Sequence, residues 1–212
     1  MALEGSYSFD VDGRDYSGNG RDLVLGSTAA SVSGGNTGNG FGKTGATMPQ
    51  FPIALLNACQ TDDRCIMFWG KGALTTWWIR FQDNDINSGS WGVLNISGSM
   101  AVQVRDTANN LMTRPTGTAP SATWRHYCAT YTRSTGQARL LVDGVQTGTQ
   151  SFAAGTQLSV GADWLDIGEW STTGAAIDDL RFFSHVPDDG EIGRLRLTPV
   201  TARRQTQFFT AA

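Results

Sequence analysis

The chain has 212 residues, with 16 Lys and Arg against 19 Asp and Glu, so its formal net charge is −3 and its isoelectric point lies near 5.3. This balance does not indicate a clustered basic face, and no nucleic-acid partner is expected. The longest apolar runs, residues 53–56 and 66–69, are far shorter than the ~18 residues of a membrane span. No membrane partner is expected either.

Composition predicts an all-β protein of one domain. Glycine contributes 26 residues and charged residues only 17% of the chain, while short apolar stretches alternate with turn residues. This pattern is typical of an antiparallel β-sandwich, and helical periodicity is nearly absent. The chain is long enough to bury a sizeable core within a single domain.

The first half of the chain carries weak strand signals separated by loops. Strand-like residues 3–10 are followed by a turn-rich loop over residues 15–23. Residues 31–46 are rich in Gly, Ser, Thr and Asn, which indicates a loop or a weak strand. A further strand is predicted at Trp91–Ile96.

One later stretch carries the clearest strand signals. Residues 124–131 hold aromatic and β-favouring side chains, residues 133–136 form a cluster of turn residues, and residues 138–142 alternate. Asp143 and Gly144 are typical of a type I′ hairpin turn. We therefore predict three short strands in an antiparallel meander.

One short helical turn is predicted at residues 187–195. Asp188 can serve as the N-cap, with Glu191 three residues later as a capping box requires.

A polar arm over residues 198–212 follows the predicted domain of residues 1–197. The arm has too little apolar content to fold alone, and its aromatic pair, Phe208 and Phe209, is the obvious anchor. We expect this arm to pack on the sandwich or on a neighbouring subunit.

Three stretches, residues 3–23, 123–146 and 165–195, resemble the opening, central and closing motifs of the laminin-G-like, concanavalin A-type lectin/glucanase domains. They occur in the order that the family has, and only residues 44–118 match loosely. The resemblance implies a two-sheet antiparallel jelly-roll sandwich of the concanavalin A type.

Tryptophan favours a binding function. The chain has seven Trp, and aromatic rings are what flat lectin sites offer to the C–H faces of sugars. Trp77 and Trp78 are adjacent in a predicted strand, so one should face the core and the other the outer surface, where loops cover it or a ligand stacks on it. Trp69 and Trp124 match family positions that are normally buried, and we expect both in the core. The candidate ligand-binding residues are Trp77, Trp78, Asp83, Asp85, Trp164 and Trp170.

Calcium is the cofactor that the resemblance implies. Sandwiches of this type often hold Ca²⁺, which takes six to eight oxygen ligands. The resemblance places Asp178 and Asp179 beside the N-terminal loop that carries Asp15 and Asn19, and these four residues form the candidate metal site. The alternative is that Asp15 and Asn19 only stabilise turns while Asp178 caps a strand.

The three cysteines leave two options open. Cys59 and Cys65 flank a short loop that a disulfide could close, whereas proteins assembled in a reducing cytosol keep such thiols free. Cys128 lies inside a predicted strand and is expected to be a small buried residue.

Catalysis is not expected. Retaining glycosidases place two carboxylates ~5–5.5 Å apart as nucleophile and acid/base. The only glutamates are Glu4, Glu169 and Glu191, and no Glu-x-Asp-x-x-Glu type of motif exists.

Single laminin-G-like domains of this kind are similar to those of tailed bacteriophages, where they serve as minor tail, fibre or capsid-decoration proteins. We therefore expect a non-catalytic virion surface protein that is made in the host cytoplasm, binds a glycan or cell-surface polysaccharide, contacts other virion proteins and forms a homo-oligomer. No signal peptide is visible after Met1. A secreted bacterial carbohydrate-binding module of a larger enzyme and a purely structural decoration protein remain alternatives.

Overall fold

A computed structural model describes residues 2–9, 12–23, 29–36, 38–43, 51–59, 63–72, 77–82, 91–108, 110–115, 118–159, 164–167 and 175–200. The elements in chain order are β1 (Leu3–Tyr7), β2 (Ala29–Gly35), β3 (Gly38–Lys43), α1 (Ile53–Cys59), β4 (Arg64–Lys71), β5 (Trp77–Gln82), β6 (Trp91–Ile96), β7 (Ser99–Arg105), β8 (Leu111–Pro115), β9 (Arg125–Thr132), β10 (Gln137–Val142), β11 (Val145–Ser151), β12 (Trp164–Ile167), β13 (Ala176–Phe183) and α2 (Asp189–Arg196).

The strands form two antiparallel sheets, which confirms the predicted all-β sandwich. The larger sheet has eight strands in the order β11-β10-β9-β4-β13-β3-β2, with β1 paired to the second half of β13. The smaller sheet has five strands in the order β12-β5-β6-β7-β8.

Alternation along the strands divides the side chains between a core and an outer layer. On β4, Ile66 and Phe68 point into the main core, while Cys65 and Met67 point away from it. Phe68 stacks on Tyr127 of the neighbouring strand β9, with ring centroids 5.3 Å apart. The outward residues of the large sheet are covered by α2, which therefore adds a third layer on that side.

The C-terminal helix confirms Asp188 as the predicted N-cap. Asp188 accepts a hydrogen bond from the Glu191 backbone N–H at 2.7 Å, and the helix runs on to Arg196, longer than the single turn that was predicted. Among the described residues, no helix has the length and apolar character needed to cross a membrane.

The start of the predicted arm packs on the sandwich. Arg181 of β13 donates hydrogen bonds to the carbonyl oxygens of Leu195, at 2.7 Å, and Thr198. Val200 is 1% exposed, and its backbone N–H donates to Asp179 Oδ1 at 3.1 Å. Residues 201–212, including the predicted aromatic anchor, lie outside the described residues.

One region differs from the sequence prediction, and another takes the second of its two predicted forms. Helix α1 was not predicted, because its seven residues carry too few turns to show helical periodicity. The Gly- and Ser-rich segment that indicated a loop or a weak strand contains the paired strands β2 and β3. Strand β6 has the bounds predicted for it, and the tight turn after β10 has positive φ at Asp143 (54°) and Gly144 (84°), as a type I′ turn requires.

Candidate functional site

The adjacent tryptophans of β5 lie on opposite faces of the five-stranded sheet. Trp78 is fully buried between the sheets, with its ring centroid 5.7 Å from those of Phe68 and Tyr127. A register shift between Trp77 and Ile79 leaves Trp77 outside this core, in a separate outer cluster. Trp78 is therefore a core residue, which corrects its assignment as a ligand contact.

Trp77 begins an apolar row across the outer face of this sheet. Leu94 of β6 lies opposite Trp77, and Ala101 of β7 lies opposite Leu94. Trp77 and Leu94 are each 8% exposed, and Ala101 is fully buried. A ligand on this face would thus meet a limited edge of the Trp77 ring.

A polar row runs beside the apolar one. Arg80 lies opposite Gly92, which in turn lies opposite Gln103 of β7. The two sequence neighbours of Arg80 belong to the core, so Arg80 faces outward. Its guanidinium carbon lies 5.6 Å from the Trp77 ring centroid, a cation–π contact that joins the two rows.

Gly92 lies in the polar row between Arg80 and Gln103 and is itself buried. A β-carbon at this position would lie 2.1 Å from the carbonyl oxygen of Ile79, so the close pairing of β5 and β6 requires glycine. Through the backbone, Arg80 also pairs with Asp166 of β12.

The other predicted ligand residues are only partly placed. Trp164 pairs with Gln82 through the backbone of β12 and β5. Asp83, Asp85 and Trp170 lie outside the described residues. Their part in ligand binding stays a prediction.

The predicted metal residue Asp15 holds together the N-terminal loop. Its Oδ1 accepts hydrogen bonds from the backbone N–H groups of Ser6 and Ser17, and its Oδ2 accepts from Ser17 Oγ and the Arg21 N–H, at 2.8–3.0 Å. These donors occupy the lone-pair positions of the carboxylate. Asn19 donates to the carbonyl oxygens of β1.

The two predicted metal residues of β13 also serve local structure. Asp178 is fully buried and accepts a hydrogen bond from the Asp179 N–H, while Asp179 holds Val200. The described residues include no group of three or more His, Cys, Asp or Glu that could hold a metal ion. The residues predicted for calcium therefore do not fit a common site, and calcium stays a sequence-based prediction.

The two described glutamates make structural contacts. Glu4 forms an ion pair with Arg21 at 2.7 Å and accepts a hydrogen bond from Ser184 at 2.6 Å. Burial acts to raise the pKa of Glu4, but the hydrogen bonds from Arg21 and Ser184 lower it overall. Glu191 lies 3.4 Å from Arg194 on α2, and Glu169 lies outside the described residues.

The cysteine that lies near Cys65 is Cys128, not Cys59 as the disulfide option would require. Cys59 is buried on α1, and all three thiols are free. Cys128 is buried, as predicted. Its Sγ atom lies 3.6 Å from that of Cys65 on the outer side of the large sheet. Burial raises the pKa of the Cys65 thiol well above its usual value, so this thiol stays protonated.

Two tryptophans expected in the core are partly exposed. Trp69 and Trp124 lie on the outer side of the large sheet. The sequence predicts strands at both places but does not show which strand face a second layer covers.

A family model describing the concanavalin A-like lectin/glucanases superfamily matches residues 42–193. The chain belongs to this superfamily. The resemblance recognised in the sequence motifs is thereby confirmed at the level of the superfamily. No curated protein matches the sequence.

Solved structures share the superfamily fold with this chain. The binding domain of Paraclostridial Mosquitocidal Protein 1 aligns with a TM-score of 0.72 and 15% identity over 91% of this chain and 51% of that domain. The botulinum neurotoxin serotype G binding domain aligns with a TM-score of 0.71 and 17% identity over 92% of this chain and 51% of that domain. The chain thus spans about half the length of these toxin domains.

Another solved structure matches along nearly its whole length. Domain 4 of AbnA, a GH43 extracellular arabinanase from Geobacillus stearothermophilus, in complex with arabinotriose, aligns with a TM-score of 0.66 and 18% identity. The alignment covers 91% of this chain and 97% of that domain. These identities establish a shared fold.

Proposed function

We propose that this superfamily member is a non-catalytic carbohydrate-binding domain that uses the outer face of its five-stranded sheet. The observation that carries the proposal is the polar row of Arg80, Gly92 and Gln103 beside the apolar row that Trp77 begins.

The two rows offer the chemistry that a saccharide needs. Arg80 and the exposed edge of Trp77 are the parts of these rows that can meet a ligand, because Leu94, Ala101 and Gln103 are buried. The guanidinium can donate hydrogen bonds to hydroxyl groups, and the ring edge can contact the C–H face of a sugar.

The proposal of a non-catalytic domain rests on the carboxylates. Glu4 is tied to Arg21 and Ser184, and the Glu191 carboxylate lies beside Arg194 on α2. A retaining mechanism needs two carboxyl groups that face one substrate, one of them free to donate a proton. We expect the protein to retain glycans without releasing reducing ends.

A glycan array followed by calorimetry tests the binding face. Arg80→Gln removes the outward cation and should weaken binding of the selected glycan about tenfold, since hydrogen bonds from charged groups contribute ~1.5–3 kcal/mol. Arg194→Gln is the matched control, because it removes an exposed cation from α2. Equal losses in both variants, or no loss in either, would contradict the assigned face.

We further propose that the domain acts on a virion surface as a minor tail, fibre or decoration protein and forms homo-oligomers. The support is the resemblance of the sequence motifs to phage proteins. Co-purification of the protein with intact particles tests this setting. A protein found only in the free fraction after lysis would contradict it.

The second candidate setting is a secreted carbohydrate-binding module of a larger enzyme. It is favoured by the alignment with domain 4 of the arabinanase AbnA, which the chain matches over 97% of that domain. Arabinotriose is the direct probe. Calorimetric binding of arabinotriose that is lost in Arg80→Gln would favour this setting, whereas the absence of any bound glycan on the array would favour a purely structural protein.

A further inference from the structure

A second group of aromatic and charged side chains lies on the opposite layer of the sandwich. Trp69 of β4 lies directly opposite His126 of β9, and Trp124 immediately precedes β9. Lys71 follows Trp69 by two residues on β4 and therefore shares its outer face. Trp69, Lys71 and Trp124 are all partly exposed.

The position of Trp124 is fixed from two sides. The Gly72 N–H donates to the Ser121 carbonyl oxygen at 2.6 Å, which ties the segment before Trp124 to the end of β4. The indole then reaches across to β3, where a β-carbon at Gly40 would lie 3.1 Å from it. Lys71 Nζ lies 4.8 Å from the ring centroid.

His126 is the unusual member of this group. It is 1% exposed, and its ring centroid lies 5.5 Å from that of Trp69 in an edge-on arrangement. Neither ring nitrogen has a hydrogen-bond partner among the residues that the structure describes. Buried polar atoms without partners are rare in proteins and are common where a ligand or an ordered water supplies the missing bond.

The charge around His126 is positive. Burial, and then the nearby charges of Arg181 and Arg196, lower the pKa of His126 to about 3, so the imidazole is neutral near pH 7. Asp178 lies opposite Trp69 on β13, but it is fully buried and accepts the Asp179 N–H. Among the partly exposed charges, Lys71 and Arg196 are cationic, while Asp143 accepts a hydrogen bond from the His126 backbone N–H at 3.0 Å and pairs with Arg125 at 3.6 Å.

We propose that Trp69, Lys71, Trp124 and His126 form a second binding surface that takes an acidic saccharide, a sugar that carries a carboxylate. The indole of Trp124 receives the C–H face of the sugar, and the Lys71 ammonium pairs with the carboxylate. The buried imidazole of His126 packs edge-on against Trp69 and supports that ring from the protein side. The surface lies on the large sheet and is separate from the face around Arg80.

Calorimetry on the full chain tests this surface with two matched probes, a galacturonate trimer and a neutral galactose trimer. The wild-type protein should bind the acidic trimer about tenfold more tightly, because one additional charge pair is worth about that factor. Lys71→Gln should remove this preference. Trp124→Leu should weaken binding of the acidic trimer further, while Arg194→Gln, a cation on α2, should leave it unchanged.

Two results would overturn the proposal. One is equal affinity for the two trimers, or no affinity for the acidic one; the other is wild-type affinity for the acidic trimer in both Lys71→Gln and Trp124→Leu. Arg80→Gln separates this surface from the first face, because it should leave binding of the acidic trimer unchanged. If only Arg80→Gln loses binding, the second surface is wrong and the first face stands.

Discussion

Single side chains hold the irregular parts of this sandwich in place, and Asp15 is the clearest case. Its carboxylate accepts hydrogen bonds from Ser6 of β1 and from Ser17 and Arg21 of the N-terminal loop. The sequence identified Asp15 as an oxygen ligand or a turn residue, and the structure places it in the turn role. Residue type alone does not distinguish the two, because both need the same carboxylate.

Asp15→Asn should lower the free energy of unfolding by about 1–3 kcal/mol, because the amide nitrogen would face N–H donors instead of accepting from them. Thermal melting of wild type and variant measures the loss. Adding a chelator in the same experiment tests whether calcium is bound. We expect no change in melting temperature, because protein N–H and O–H groups already bond the Asp15 carboxylate. A fall that added Ca²⁺ reverses would instead support the calcium site predicted from sequence.

His126 makes the stability of the protein depend on pH. Its ordinary pKa of 6.5 is lowered to about 3 in the folded state, so below pH 6.5 the unfolded chain binds a proton that the folded chain does not. The stability that the protein gains from keeping His126 neutral is therefore fully present above pH 6.5. It is lost progressively as the pH drops toward 3.

Between pH 6.5 and pH 5 the free energy of unfolding should fall by up to about 1.4 kcal/mol per pH unit in the wild type. His126→Phe, which keeps a ring beside Trp69, should flatten this slope. Urea unfolding at several pH values gives the comparison. Parallel slopes in the two proteins would show that His126 is not the titrating group. Glu4 does not interfere with this comparison, because its lowered pKa affects stability only near and below pH 4.5.

At the scale of elements, turn chemistry was more predictable from sequence than layer packing. The hairpin at Asp143 and Gly144 and the N-cap of α2 depend on neighbouring residues, so their signals are complete in the sequence. The exposure of Trp124 depends on which strand face α2 covers, a long-range property. The polar row around Gly92 depends on strand register, which residue types alone do not reveal.

The boundary of the C-terminal element lies later than the predicted domain end at residue 197. Val200 is buried and tied to Asp179, so the residues just after α2 belong to the sandwich. Deletion of residues 201–212 keeps all of these contacts, whereas deletion of residues 198–212 removes them.

The shorter deletion should leave the melting temperature unchanged and, if the predicted aromatic anchor operates, weaken assembly or virion attachment. The longer deletion should cost roughly 2–4 kcal/mol, from the lost burial of Val200 and the lost hydrogen bond between its N–H and Asp179. Denaturant unfolding measures the difference, and analytical ultracentrifugation reports assembly. Equal stability of the two truncated proteins would contradict the assigned boundary.

At the scale of the whole molecule, the sandwich presents two chemically different outer faces. The five-stranded sheet carries the apolar and polar rows, and the eight-stranded sheet carries α2 beside the group around Trp124. The superfamily was recognisable from sequence because several of its motifs coincide with strands, among them β9, β10 and β13. Loops vary among members of a fold, so the ligand is harder to predict than the fold.

Fluorine NMR of protein labelled with fluorotryptophan tests carbohydrate binding at the five-stranded face most directly. The seven tryptophans give separate resonances, which Trp-to-Phe variants assign. Titration with a neutral glycan selected on the array should shift the Trp77 resonance in proportion to the bound fraction, and Arg80→Gln should move the same curve to higher glycan concentration. An unchanged Trp77 resonance at saturating glycan would contradict the proposed face.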